Sequence, residues 1–149
     1  MKSGILFKLI GTVFGIGYIP RIPGTAASLA AVFVVLLVRD ERAVLAIALV
    51  STLLGFAAAG GAEKALQKKD DQHIVIDEFA GMMLSMLFIP AELKFVIPGF
   101  VLFRIMDILK PFPAYRLQSL NGSSGIMLDD ITAAFYTNAL LELSRLSFH

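Results

Sequence analysis

The sequence predicts an all-α fold: a polytopic membrane helix bundle of about five membrane segments, with a possible N-terminal interfacial helix, in one integral-membrane domain over residues 1–149. Three observations predict it. First, 57% of the residues are hydrophobic and 17% charged, with mean hydropathy +0.78; a soluble domain has about 45–50% apolar and about 25% charged residues. Second, the apolar residues gather into segments parted by charges and prolines. Third, three of those segments carry ionisable residues near one end, which fits a compact bundle with a polar cavity at one membrane face.

Ser3 to Phe14 reads as a short interfacial helix, the alternative being part of the first membrane helix. The stretch Met1 to Tyr18 resembles a signal peptide in composition. Lys8 interrupts its apolar run, however, and Pro20-Arg21-Ile22-Pro23 follows with no clear cleavage site. The first membrane segment is Thr25 to Val38, closed by Arg39-Asp40-Glu41-Arg42. The second is Ala43 to Gly61, followed by Glu63-Lys64 and Lys68-Lys69-Asp70-Asp71. Gly55 with Ala59, and Ala57 with Gly61, are spaced to let neighbouring helices approach, or are ordinary membrane composition. The third segment is about Ile74 to Ile89, closed by Pro90. The fourth, Phe95 to Leu109, ends at Lys110-Pro-Phe-Pro113. The fifth, weakened by two acids, runs from Ile126 to about Leu143. Several fall short of the roughly 20 residues that span a bilayer.

Alternating these segments across a bilayer, with the N-terminus inside, puts nine Lys/Arg on one side (Lys2, Lys8, Arg21, Lys64, Lys68, Lys69, Arg104, Lys110, Arg116) and four on the other (Arg39, Arg42, Lys94, Arg145). The positive-inside rule makes the first side cytoplasmic. The same threading sends Asp77, Glu78, Asp107, Asp129 and Asp130 to that side.

Composition also excludes function classes. The net charge is +1 and no basic run suits a phosphate backbone, so nucleic acid is not an expected partner. Without cysteine there are no disulfides, thiolate metal sites or cysteine-based phosphatase chemistry. His73 and His149 are too few and too badly placed for a histidine metal site, and His73 is expected to face solvent.

The chemistry lies in four clusters. Arg104, Asp107 and Lys110 recur every third residue, which lines them up near one helix face. Arg grips phosphate or carboxylate bidentately, and Lys acts as a point charge. An internal Arg104–Asp107 pair with a snorkelling Lys110 is the structural alternative. Asp77-Glu78 opens the third segment, facing a polar cavity or complementing the helix dipole. Asp129-Asp130 lies among Ile126, Met127, Leu128 and Ile131, where two carboxylates repel unless compensated. Dipole capping is one compensation and a divalent cation another, and oxygen-only ligands suit Mg²⁺. The preceding Asn121-Gly-Ser-Ser-Gly125 loop offers backbone N–H groups to an anion, or simply turns. Finally, Thr25 and Ser28, following Pro20-Arg21-Ile-Pro23-Gly24, fit a helix start that also attracts phosphate. Acids to hold Mg²⁺ and cations to hold phosphate imply phosphoryl chemistry on something lipid-soluble.

At these residues the chain resembles the phosphatidylglycerophosphatase A family. The resemblance rests on Pro23-Gly-Thr-Ala-Ala-Ser-Leu29, Ile74-Val-Ile-Asp-Glu-Phe-Ala-Gly81, Phe103-Arg-Ile-Met-Asp-Ile-Leu-Lys-Pro-Phe-Pro113 and Gly125-Ile-Met-Leu-Asp-Asp130. It implies a Mg²⁺-dependent phosphatase domain in the bacterial inner membrane; the threading above faces its site to the cytoplasm, and no obligate protein partner is inferred. The implied reaction converts phosphatidylglycerophosphate to phosphatidylglycerol and phosphate, closing that lipid's synthesis. Two positions depart from the family's usual pattern. Ala27 stands for a Gly, and Gly122-Ser123 for Gly-Gly; a Cβ at either place is expected to restrict backbone approach to an anion.

The mechanistic expectation is metal-assisted hydrolysis. Asp77, Glu78, Asp129 and Asp130 hold the metal and do acid–base work. Asp107 orients the cations or completes the metal site. Arg104 and Lys110 bind phosphate, helped by Thr25 and Ser28. A carboxylate activates water or attacks phosphorus, and the sequence leaves both routes open. The Asp-x-Asp of haloacid-dehalogenase phosphatases, the histidines of histidine-based lipid phosphatases and the long aspartate signature of alcohol phosphotransferases are all missing. A non-enzymatic membrane cation carrier is the alternative, and it predicts acids at mid-depth or on both sides.

Overall fold

A computed structural model describes residues 2–147. They form seven α-helices and one 3-10 turn, with no strand among them. The helices are α1 (Lys2–Gly11), α2 (Pro23–Val38), α3 (Glu41–Leu66), α4 (Ile76–Ser85), α5 (Leu93–Leu109), α6 (Ala114–Leu117) and α7 (Ser123–Ser147), and the 3-10 turn is Ile16–Tyr18. His149 lies outside the described residues.

Local chemistry sets the boundaries. Pro23 occupies the first turn of α2, where a missing N–H costs nothing. Arg39 ends α2 in a left-handed conformation, and its Nε donates to Leu36 O at 2.9 Å. Asp40 then caps α3, its Oδ1 accepting from Ala43 N at 2.8 Å. At about 1.5 Å per residue α3 is about 39 Å long, and it alone among the described helices is long and apolar enough to cross a membrane by that measure.

The N-terminal helix is separate from α2. Val13, Phe14 and Gly15 all have positive φ and turn the chain out of helix after Gly11. α1 then lies along the second half of α3, with Phe7 against Gly61 and Gly4 facing Ala65. Of the small residues on α3, Gly55 and Ala59 are buried, and Met127 of α7 sits where a Gly55 side chain would go. Ala57 is exposed.

The third apolar segment differs from expectation. Its helix covers Ile76–Ser85, ten residues, about half a bilayer in length. The chain unwinds where α7 supplies donors for the carbonyls thus freed. Asn138 Nδ2 donates to Ser85 O at 3.1 Å and Leu87 O at 2.8 Å, and Arg145 Nη1 donates to Phe88 O at 2.9 Å. Irregular backbone inside a membrane needs such protein partners. Short α4 is the centre of the bundle, packed by α2, α3 and α7.

The buried core is in two parts. Val35, Val44, Met82, Met83, Met86, Phe103 and Leu141 fill the end away from the acids. Ala27, Ala59, Ala62, Val75, Ile76 and Met127 underlie the acidic end.

Candidate active site

Three helix ends and one helix interior meet in a polar cavity of about 350 Å³. Gly24 and Thr25 enter it from the start of α2, and Asp77 and Glu78 from the first turn of α4. Arg104 and Asp107 come from the last turns of α5, Lys110 from just beyond it, and Asp129 and Asp130 from α7. Residues from four separate elements, scattered over a hundred positions of sequence, thus share one space.

The acids crowd. Asp77, Asp129 and Asp130 each offer a carboxylate oxygen within 4.8 Å of the others, and so do Glu78, Asp107 and Asp130. Asp130 belongs to both triads and is fully sequestered, as is much of Asp129. The cations answer only part of that charge. Arg104 Nη1 lies 2.8 Å from Asp107 Oδ2, and Lys110 Nζ lies 2.5 Å from Asp129 Oδ2. Five carboxylates therefore face two cations at close range.

Several buried polar atoms have no hydrogen-bond partner: Asp77 Oδ1, Glu78 Oε2, Asp129 Oδ1, Asp130 Oδ2 and Arg104 Nη1. The Arg104–Asp107 contact is close, but its angle is not that of a hydrogen bond. Such orphans cost free energy unless something fills the space between them. The oxygens are all carboxylate, hard ligands that suit a divalent cation such as Mg²⁺. The unmatched guanidinium N–H suits an anionic oxygen. The donor set fits a metal ion and a phosphate side by side.

Gly24 has a particular part here. The Glu78 carboxylate occupies the position that a Cβ at residue 24 would take. A Cβ there would have to push the Glu78 carboxylate aside or move the start of α2.

The structure separates some sequence alternatives. Asp77 and Glu78 lie in the first turn of α4, where the dipole helps them as well. Asp129 and Asp130 lie nearly two turns inside α7, which starts at Ser123, so dipole capping does not account for them. Of the expected Gly/Ser loop, Ser123 to Gly125 form the first turn of α7, and none of Asn121 to Gly125 lines the cavity. Ser28 does not line it either: its buried hydroxyl donates to Gly24 O at 3.0 Å, so it braces the turn that carries Gly24.

The two departures from the family pattern fall outside the cavity as well. Ala27 is buried in the apolar core. Ser123 Oγ accepts from Gly60 N at 2.8 Å, tying α7 to α3. Their expected interference with an anion does not arise in this geometry.

His73 is not turned freely to solvent as expected. Its Nδ1 is 2.5 Å from Asp71 Oδ1, its backbone N donates to the same oxygen at 2.9 Å, and its ring leans on Tyr18. Burial pushes the Asp71 carboxyl up, but the bonds from His73 and the nearby Lys68 charge outweigh it and hold it below its usual range. Asp71 lines the cavity with Asp70, Gln72, Gln118 and Arg21. Sequence reasoning passed over these five. Asp70 and Asp71 stand in the charged run that follows the second segment, and Arg21 in the stretch that leads to Thr25.

The family model described as "Phosphatidylglycerophosphatase A" matches residues 9–145. A Bacteroides thetaiotaomicron protein named "Putative phosphatidylinositol-3-phosphatase" is 33% identical over 97% of this chain and 96% of its own length. The Escherichia coli protein named phosphatidylglycerophosphatase A is 31% identical, covering 95% of this chain and 84% of its own. The Haemophilus influenzae protein of the same name is 35% identical, covering 86% and 82%. No solved structure matches the chain. With a family match across nearly its whole length and an acid-and-cation cavity built from the matching segments, the chain belongs to the phosphatidylglycerophosphatase A family, a family of phosphatases.

Proposed function

We propose that this protein is a Mg²⁺-dependent phosphatase of the bacterial inner membrane that hydrolyses phosphatidylglycerophosphate to phosphatidylglycerol and phosphate, within phospholipid biosynthesis. The single observation that carries the reading is the convergence of Asp77, Glu78, Asp107, Asp129 and Asp130 with Arg104 and Lys110 in one cavity. Neither charge type alone specifies a phosphatase. Together they match the two needs of phosphoryl transfer, a cation among oxygen ligands and positive groups for the phosphate.

Asp77, Asp129 and Asp130 are the metal ligands in this reading, with Glu78 and Asp107 completing a second group through Asp130. Bound Mg²⁺ would neutralise phosphate charge and lower the pKa of a water. Arg104 Nη1 and Lys110 Nζ hold the phosphate oxygens. Thr25, at the rim on α2, helps to seat it. One carboxylate takes the proton of an attacking water or attacks phosphorus itself. Borohydride trapping during turnover separates these routes, since only the second forms an acyl-phosphate on a carboxylate, which the reagent reduces to an alcohol.

The chain is read as one multi-pass domain with its cavity at the cytoplasmic face. The support is the nine-to-four Lys/Arg bias toward the side that carries the acids. The carrier alternative is not favoured, because the acids gather at one end of the bundle instead of lining a path through it.

The test is phosphate release from phosphatidylglycerophosphate by purified protein in detergent, with and without Mg²⁺. Mg²⁺-dependent release supports the reading; ion flux without release overturns it. Phosphatidylinositol-3-phosphate belongs in the same assay, because the Bacteroides relative is named for that headgroup.

A further inference from the structure

A second cavity, about 560 Å³ and almost wholly apolar, opens on the flank of the bundle between α2 and α3. These helices are consecutive, yet they barely touch. Phe33 and Val34 of α2 form one wall, Val50 and Leu54 of α3 the other, and Ile76 and Phe79 of α4 the floor. Its one polar side chain, Ser51, has its hydroxyl donated to Ala48 O. Phe33 and Val50 are exposed, so the groove is open along its side. A lipid could enter sideways.

The groove adjoins the polar cavity through shared helices. Ile76 in its floor immediately precedes Asp77, and Phe79 immediately follows Glu78. On α2, Gly24 and Thr25 line the cavity, and Ala30, Phe33 and Val34 line the groove. At about 1.5 Å per residue that separation is roughly 8–15 Å along the helix. A glycerophosphate headgroup with its ester linkage is of that order of length. A phosphate held at Arg104 and Lys110 would leave its lipid tail at the groove. Val13 and Phe14, both in the left-handed conformation that β-branched and aromatic residues rarely adopt, also line it.

From this placement we infer that the α2–α3 groove is a binding site for one acyl chain of the lipid phosphate substrate. The inference rests on the proposed phosphatase reading. A bilayer is as apolar as the groove, so moving the tail between them gives little affinity. The groove's contribution is orientation: it fixes where the headgroup arrives, which acts on the reaction rate. The volume lies within the range of about 300–1,000 Å³ typical of small-molecule sites.

The test uses the full chain in lipid nanodiscs with a lipid phosphate carrying a diazirine at the end of one acyl chain. After irradiation, labelled peptides should centre on Phe33, Val34, Val50 and Leu54. Excess unlabelled lipid phosphate should reduce that labelling about tenfold, and the matching phosphate-free lipid should do so far less. Labelling spread equally onto exposed Leu143 of α7, or competed equally by phosphate-free lipid, overturns the proposal, since the groove then holds bulk lipid. As a kinetic arm, Val34→Trp should lower the ratio of kcat/KM for a long-chain over a dihexanoyl substrate about tenfold, and Leu143→Trp should not. An unaltered ratio in Val34→Trp, with the protein folded by circular dichroism, also overturns it. Selective labelling without any phosphate release would instead reject the phosphatase reading and leave the acyl-chain site standing.

Discussion

Lys110 Nζ lies 2.5 Å from Asp129 Oδ2, joining the residue just past the end of α5 to the interior of α7. Lys110 is itself left-handed, and its N–H closes α5 on Met106 O at 2.9 Å. The turn and the ion pair together aim the ammonium into the cavity. The other Asp129 oxygen, Oδ1, is buried without a hydrogen-bond partner.

That arrangement predicts coupling. Lys110→Ala should lower kcat/KM at least about tenfold, and Asp129→Asn should do so more strongly. Because the two residues touch, the double variant should fall short of the product of the single effects. Full additivity in the cycle would show that the pair does not act together.

Asp130 belongs to both carboxylate triads, so its replacement should have opposite effects on stability and activity. Asp130→Asn removes one of several crowded charges and should raise Tm in chelator relative to the natural chain. It should also cut phosphate release by at least about a hundredfold. Full activity with an unchanged Mg²⁺ requirement would remove Asp130 from the site.

Metal binding should be visible without turnover. A ligand at about a hundred times its Kd stabilises by about 2.7 kcal/mol, which corresponds to several degrees in Tm. Mg²⁺ should give that rise in the natural chain, and Asp77→Asn should lose most of it. An equal rise in both would place the ion elsewhere.

Gly24→Ala should impair catalysis while leaving the fold intact. The added methyl must displace the Glu78 carboxylate or shift the start of α2. A misplacement of about 1 Å at a reacting group can cost about a hundredfold. Measured kcat should fall with little change in the circular dichroism spectrum.

Asp71 gives a pH signature. Its carboxyl is held below its usual range in the fold, so the folded state binds its proton less readily than the unfolded state. The stabilisation is present in full above the unfolded value of about 3.9, and it fades as pH falls through the lower folded value. The natural chain should therefore exceed Asp71→Asn in Tm near pH 6, with the difference closing below about pH 4. A constant difference across that window would rule out the titration.

Much of the site was legible in the sequence. Arg104 and Asp107 announce each other by helical spacing, though Lys110 joins them from a left-handed turn past the helix end, and acid pairs amid apolar residues are too costly to be incidental. Although α3 runs five residues past the expected Gly61 to a left-handed Gln67, the boundaries of α2 and α5 were close to expectation too, because proline and arginine mark them locally. The early end of α4 was not, since its freed carbonyls are satisfied by Asn138 and Arg145, more than fifty positions away.

Ser28 is expected at a helix start that attracts phosphate, and Ser123 in a Gly/Ser loop that offers N–H groups to an anion. A bond within α2 takes the Ser28 hydroxyl to Gly24 O, packing of α7 on α3 brings the Ser123 hydroxyl to Gly60 N, and neither enters the cavity. Asp71 and Arg21 look like loop charges, and packing brings both to its wall. Residue type and spacing thus determined which chemistry the chain holds, because burial makes unpaired charge expensive wherever it falls. Tertiary structure alone decided which charges meet, because partners distant in sequence are brought together only by helices closing on α4.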